Sequence, residues 1–273
     1  MTFDPAPFDL GPALLFCPAD RPDRFAKALD RADAVILDLE DAVAAADKPA
    51  ARAALAEHPL DPTRVVVRVN PPSTPEFAAD LAALDATPYR RIMVAKADAA
   101  LPALAGFEVI ALCETAAGIL DARDLARRRD VVGLMWGAED LVASLGGTAS
   151  RDHRGRYRKV VRHARAAVLL AAGAEGIAAI DAVHLAIDDL DGLRAEAEDA
   201  AASGFAATAC IHPSHVAVIR DAYRPTPTEV TAARRLLDAA VSGGAVFQFE
   251  GRMVDGPVLR HAEAVLRRAS VVE

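Results

Sequence analysis

The stretch AVILDLEDAVAAADKPAARAALAEHPLDPTRVVVRVN, residues 34–70, decides the fold. It opens on an apolar run, AVILDL (34–39), and passes through an Ala-rich charged segment, KPAARAALAEH (48–58). It closes on a second apolar run, RVVVRV (64–69). Runs this short, nearly unbroken and rich in Val, Ile and Leu have the pattern of strands buried on both faces. A parallel sheet covered by helices buries both faces in that way. Strand, helix, strand is the unit from which such sheets are built.

The same alternation extends outward in both directions. ALLFCP (13–18) precedes it, and RIMVAK (91–96), EVIALCE (108–114), DVVGLMW (130–136), GIAAIDAV (176–183) and AATACIHP (206–213) follow. Helical segments such as RFAKALDRA (24–32) and DGLRAEAEDAAASG (191–204) lie between them, the second stopping at Gly204. Eight strands with intervening helices predict a (β/α)8 TIM barrel, with a doubly wound open sheet as the structural alternative. The crossover at 137–175 is long, with a short helix expected at 139–144, a loop at 145–156 and a long helix after Tyr157. Beyond the eighth strand come a helix (225–243), the segment AVFQFEGRMVDGPV (245–258) and a last helix (259–269). The expected domains are therefore a barrel over 1–223 and a C-terminal helical extension or arm over 224–273, which packs on its own barrel or contacts a neighbouring subunit.

Bulk properties narrow the function. Hydrophobic residues make up 53% and charged residues 26% of the 273 positions, a globular balance. A net charge of −8 opposes nucleic-acid binding. The densest basic stretch, Arg151 to Arg165, places Arg158, Arg162 and Arg165 at helical spacing, the pattern of a solvated helix face, with a site for an anionic ligand as the alternative. Cys17, Cys113 and Cys210 lie in apolar runs without CxxC spacing, as expected of reduced, buried thiols. The N-terminal segment carries acidic residues and prolines where a signal peptide needs a basic start. A cytoplasmic protein without membrane segments is the expectation.

In a parallel barrel the active site lies at the C-terminal ends of the strands. There stand Asp38, Glu40 and Asp41; Arg68 and Asn70; Lys96; Glu114 and Thr115; Gly137, Ala138, Glu139 and Asp140; Asp181; and His212 with Ser214. Any one of them would serve as a helix cap or surface charge. Together they put several carboxylates and two cations around one mouth. Glu114 and Asp140, on neighbouring strand ends, offer one carboxylate each to a hard divalent ion such as Mg²⁺, which takes one or two carboxylates and leaves its other positions to water and substrate. Zinc-type Cys/His spacing, a GxSxG elbow and nucleotide-binding glycine loops are absent.

FCPADRPDRFAKA (16–28), ILDLEDAV (36–43) with DKPAAR (47–52), ALCETAAGI (111–119), MWGAEDL (135–141), CIHPSH (210–215) and FEGRMVDGPVLRHAE (249–263) resemble the citrate lyase β-subunit-like members of the HpcH/HpaI aldolase superfamily. The pattern departs from the family at Ala42, Ala95, Asp98-Ala99 and His215. The resemblance implies a (β/α)8 barrel assembled as a homotrimer or hexamer. It implies Mg²⁺, with Mn²⁺ as a substitute, on Glu114 and Asp140. It implies an arginine, Arg68, on the carbonyl and enolate oxygens, and an acid–base carboxylate, Asp255, that a neighbouring subunit can supply; read from the residues alone, Asp255 would also serve as the N-cap of the last helix. Lys48 and Arg52 fall in the region associated with CoA, and the backbone of Met135, Gly137 and Ala138 where a substrate carboxylate is held. The expected reaction is cleavage or formation of a 3-hydroxyacyl-CoA of the malyl- or citramalyl-CoA type, giving an acyl-CoA and a keto acid. The alternatives are a class II pyruvate-type aldolase on free hydroxy-keto acids, an acyl-CoA thioesterase, and a β-subunit working only within a citrate lyase complex.

Overall fold

The computed structural model describes residues 8–243 and 246–271. Residues 1–7, 244–245 and 272–273 lie outside the described residues, among them most of the N-terminal segment and the Ala245 that opens the expected arm. The chain divides into two compact units, Met1–Ile219 and Arg220–Glu273. That division falls inside a helix, a few residues before the boundary read from the sequence.

The first unit is a closed barrel of eight parallel strands in sequential order. They are β1 (Ala13–Pro18), β2 (Ala34–Asp38), β3 (Val65–Val69), β4 (Arg91–Val94), β5 (Glu108–Cys113), β6 (Val131–Trp136), β7 (Ala178–Asp181) and β8 (Ala207–Cys210). β1 pairs with β8 and closes the ring. The helices are α1 (Phe25–Arg31), α2 (Lys48–Glu57), α3 (Pro75–Leu84), α4 (Ala116–Ala126), α5 (Ala138–Ser144), α6 (Lys159–Glu175), α7 (Leu190–Ser203) and α8 (Pro213–Tyr223). α7 stops at Gly204, whose φ of 107° is the left-handed conformation that glycine takes without cost. All eight predicted strands are present, and the open sheet is excluded.

Strand side chains alternate between two faces, and here the alternation sorts the core. Leu14, Ala34, Ile36, Val66, Met93, Ile110, Leu112, Met135, Ile180, Ala207 and Ala209 fill the barrel interior. Val35, Leu37, Val65 and Val67, on the alternate positions, are also fully buried, as burial on both faces requires. Following the inward positions to the strand ends and beyond gives Asp38 and Arg68, still within β2 and β3, and Glu114, Ala182 and Ile211 past the ends of theirs. The barrel's own parity thus chooses which residues line its mouth.

The second unit contains α9 (Pro227–Gly243), the hairpin β9 (Phe247–Phe249) and β10 (Arg252–Val254), and α10 (Gly256–Val271). The hairpin turns through Glu250 and Gly251, with φ of 48° and 78°. A two-residue turn with both angles positive matches the twist of paired strands. Among the described residues no helix is long and apolar enough to cross a membrane.

Candidate active site

The register of β2 and β3 sets Asp38 beside Arg68. Arg68 donates from Nε to Asp38 Oδ1 at 2.7 Å and from Nη2 to Oδ2 at 2.6 Å. Its Nη1 lies 3.0 Å from Glu40, and its guanidinium stands over the Phe16 ring at 4.9 Å. Burial works against the Arg68 cation, but the hydrogen bonds to Asp38 and the charges of Asp38, Glu40 and Glu114 hold its pKa above the usual arginine value. Arg68 is therefore a fixed positive charge at the cavity wall. Breaking such a buried pair costs about 3–5 kcal/mol, so Arg68 also supports the fold.

Glu114 follows β5 and is buried. Its Oε1 accepts the backbone N–H of Lys96 at 3.1 Å. Gly137, between β6 and α5, makes room for it: a Cβ there would lie 2.8 Å from Glu114 Cβ and 2.9 Å from Oε2. Burial, then the charge of Asp140, pushes the Glu114 carboxyl up to about 8; Arg68 acts in the opposite direction. Asp140 sits in the first turn of α5 with its side chain 39% exposed. Glu40 is likewise raised, chiefly by burial, with the Arg68 and Lys96 charges opposing. Lys96 lies beside Glu40, 3.3 Å from Asp41 and 3.6 Å from Asp140.

Several of these groups line a cavity of about 320 Å³ at the barrel mouth. Asp38, Arg68, Glu114, Glu139 and Asp140 give it polar walls, and Met135, Gly137 and Ala138 line it as well. Phe16, Leu112, Val183, Leu185 and Ile211 add apolar surface. Two hard oxygen donors, a glycine that leaves space beside one of them, and a carboxylate destabilised by burial and like charge fit a divalent cation. Among the described residues no group of three or more His, Cys, Asp or Glu side chains could hold a metal ion. Two carboxylates that leave the other positions to water and substrate agree with that.

Lys48, Arg52, Asp181 and Asp255 each make contacts of their own within the chain. Lys48 is buried, and its ammonium donates to Leu39 O at 2.7 Å, Glu40 O at 2.9 Å and Asn70 Oδ1 at 2.8 Å. All three donors are taken, so it anchors the β2 loop and has none left for a ligand phosphate. Arg52 pairs with Asp80 at 2.7 Å and with Glu76. Asp181 points away from the mouth, because Ile180 and Ala182 take the inward positions. It accepts from Trp136 Nε1 at 2.6 Å and pairs with Arg165 at 2.8 Å. Arg165 consequently leaves the solvated face on which Arg158 and Arg162 are exposed. Asp255 lies in the second unit, where it caps α10: Leu259 N donates to its carbonyl at 3.1 Å, and Val258 N approaches its carboxylate at 3.4 Å.

The fold and this mouth define a (β/α)8-barrel enzyme with an acidic, arginine-flanked site. The chain belongs to the HpcH/HpaI aldolase/citrate lyase family, whose model matches residues 13–105 and 103–213; by its names, this is a family of enzymes acting on carbon–carbon bonds. It is 57% identical to the citrate lyase subunit β-like protein of Mycobacterium tuberculosis over 95% of this chain and 96% of that one. It is 28% identical to the mitochondrial citramalyl-CoA lyase of Rattus norvegicus, over 96% of this chain and 86% of that one. The crystal structure of protein CitE from M. tuberculosis in complex with magnesium, acetoacetate and coenzyme A superposes with a TM-score of 0.91. The two share 56% identity, covering 96% of this chain and 98% of that one.

Proposed function

We propose that this protein is a Mg²⁺-dependent acyl-CoA carbon–carbon lyase or synthase, cleaving a 3-hydroxyacyl-CoA of the malyl- or citramalyl-CoA type into an acyl-CoA and a keto acid. The observation that carries the reading is the convergence of Glu114, Asp140 and the fixed Arg68 cation on one cavity. A relative that binds magnesium, acetoacetate and coenzyme A supports it.

Cleavage breaks the C2–C3 bond. The C3 hydroxyl loses its proton as the C3 carbonyl forms, and the bonding pair moves onto C2 as a thioester enolate. A proton delivered to C2 completes the acyl-CoA. Glu114 and Asp140 would hold Mg²⁺ (or Mn²⁺), which when bound supplies Lewis-acid polarisation of the keto acid's oxygens. Arg68 donates to the oxygen on which enolate charge develops; two of its five donors are committed to Asp38, which fixes the fork before substrate arrives. The backbone of Met135, Gly137 and Ala138 lies along the cavity where the keto acid's carboxylate would rest. Asp255 of a second copy supplies the acid–base carboxylate within a homo-oligomer, and CoA lies along the region of the chain that carries Lys48 and Arg52. The burial of all three cysteines, Cys17, Cys113 and Cys210, supports a cytoplasmic location.

Product analysis tests this. The isolated protein, given citramalyl-CoA or malyl-CoA, should release acetyl-CoA with pyruvate or glyoxylate. EDTA should stop the release and excess Mg²⁺ restore it. Free CoA with an intact hydroxy acid would make the enzyme a thioesterase instead. Turnover only of free hydroxy-keto acids would make it an aldolase.

A further inference from the structure

Lys96 occupies an unusual position. β4 ends at Val94, and two residues later the backbone of Lys96 adopts a φ of 51°, which side chains other than glycine seldom take. Neighbouring strands impose the turn: Ala95 N donates to Val69 O at 3.2 Å, and Ala97 N donates to Leu112 O at 3.0 Å. Gly118 leaves the space it needs, since a Cβ there would lie 2.3 Å from Ala97 O. Backbone strain held by its surroundings in this way is concentrated at functional sites.

The turn lets one residue reach both proposed metal ligands. The Lys96 N–H is spent on Glu114 Oε1 at 3.1 Å. Its ammonium pairs with Glu40, lies 3.3 Å from Asp41 and stands 3.6 Å from Asp140 Oδ1. Among the described residues, Lys96 is the only cation within ion-pair distance of Asp140. Yet Lys96 is not among the residues lining the cavity, whereas Glu114 and Asp140 are.

We propose that Lys96 is a positioning residue, a resident counter-cation for the Glu114–Asp140 pair that sets how tightly a divalent ion is held there. This rests on the proposed metal site. A divalent ion arriving at the pair must share Asp140 with the ammonium and settle close to a like charge. Like charges a few ångströms apart in a partly buried site repel far more than in water. Removing the ammonium should therefore tighten the hold on the ion.

Calorimetric titration of the whole protein with Mg²⁺ tests this on a readout separate from activity. Lys96→Met keeps the stem and the backbone conformation but drops the charge, and it should bind Mg²⁺ about tenfold more tightly than the wild type. Lys96→Cys should also bind more tightly, and aminoethylation of that cysteine, which restores an ammonium, should return the affinity to the wild-type value. Cys17, Cys113 and Cys210 are buried and leave the reagent one accessible target. The cysteine pair carries the test alone if Lys96→Met does not fold. Unchanged or weaker binding in a folded, uncharged variant would overturn the role of Lys96 while leaving the metal site standing. Glu114→Gln is the control for the site itself. If it bound Mg²⁺ as the wild type does, or if the wild type bound none, the site and this inference would fall together.

Discussion

At the scale of single residues, Glu114 sits in an environment that conflicts with its ordinary chemistry. Its carboxyl is pushed up to about 8 from an ordinary 4.5, first by burial and then by Asp140. The folded, ion-free protein thus holds that proton more tightly than the unfolded chain does. The stability this contributes is complete below about pH 4.5 and is lost as pH rises toward 8, a change of a few kcal/mol in order of magnitude. A divalent ion that binds the ionised carboxylate acts in the opposite sense. The rise in melting temperature on adding Mg²⁺ should therefore be small near pH 5.5 and large near pH 8.5. Paired thermal melts with and without Mg²⁺ measure this. A Mg²⁺ effect that shrank as pH rose would mean that Glu114 does not face the ion.

At the scale of elements, the barrel was legible because each strand is a continuous apolar run and each helix is not. The mouth was legible only in part. A polar residue at a strand end belongs to the mouth only if its parity is inward. Asp181 fails that test beside inward-facing Ile180, although the alternation within AAIDAV carried the signal. Lys48 reads in sequence only as part of the region that the resemblance associates with CoA. Only the chain's return through Asn70 and the β2 loop shows that three acceptors enclose its ammonium. The left-handed turn at Lys96 has no signature in the string, since its cause lies in the strands on either side. Gly137 is where sequence and packing meet most tightly. Its backbone, at φ −129° and ψ 128°, would accept any residue but proline, so the space that Glu114 occupies is what excludes a side chain. Gly137→Ala should fold with near-normal circular dichroism yet lose roughly 100-fold in turnover, because a carboxylate displaced by about 1 Å loses its geometry. Normal turnover in that variant would show that Glu114 has room to move without consequence.

At the scale of the whole molecule, the second unit poses the remaining question. Asp255 is the cap of α10 in its own chain and the proposed acid–base carboxylate for another copy's site. Refolding from a mixture separates these roles. Asp255→Asn keeps a capping side chain, since Asn caps about as well as Asp, and Glu114→Ala removes a proposed ligand. Each variant should be inactive alone. Refolded together, they should regain activity well above the sum of the two, because some interfaces then join an intact metal site to an intact Asp255. Mixing that restores nothing would confine Asp255 to its own chain. The central claim remains that the barrel mouth holds a divalent ion between Glu114 and Asp140, and anomalous scattering from a crystal soaked in Mn²⁺ tests it most directly. The expected result is a peak bonded to both carboxylates, absent from Glu114→Gln crystals; a peak elsewhere in the protein, or one that survives that substitution, would contradict it.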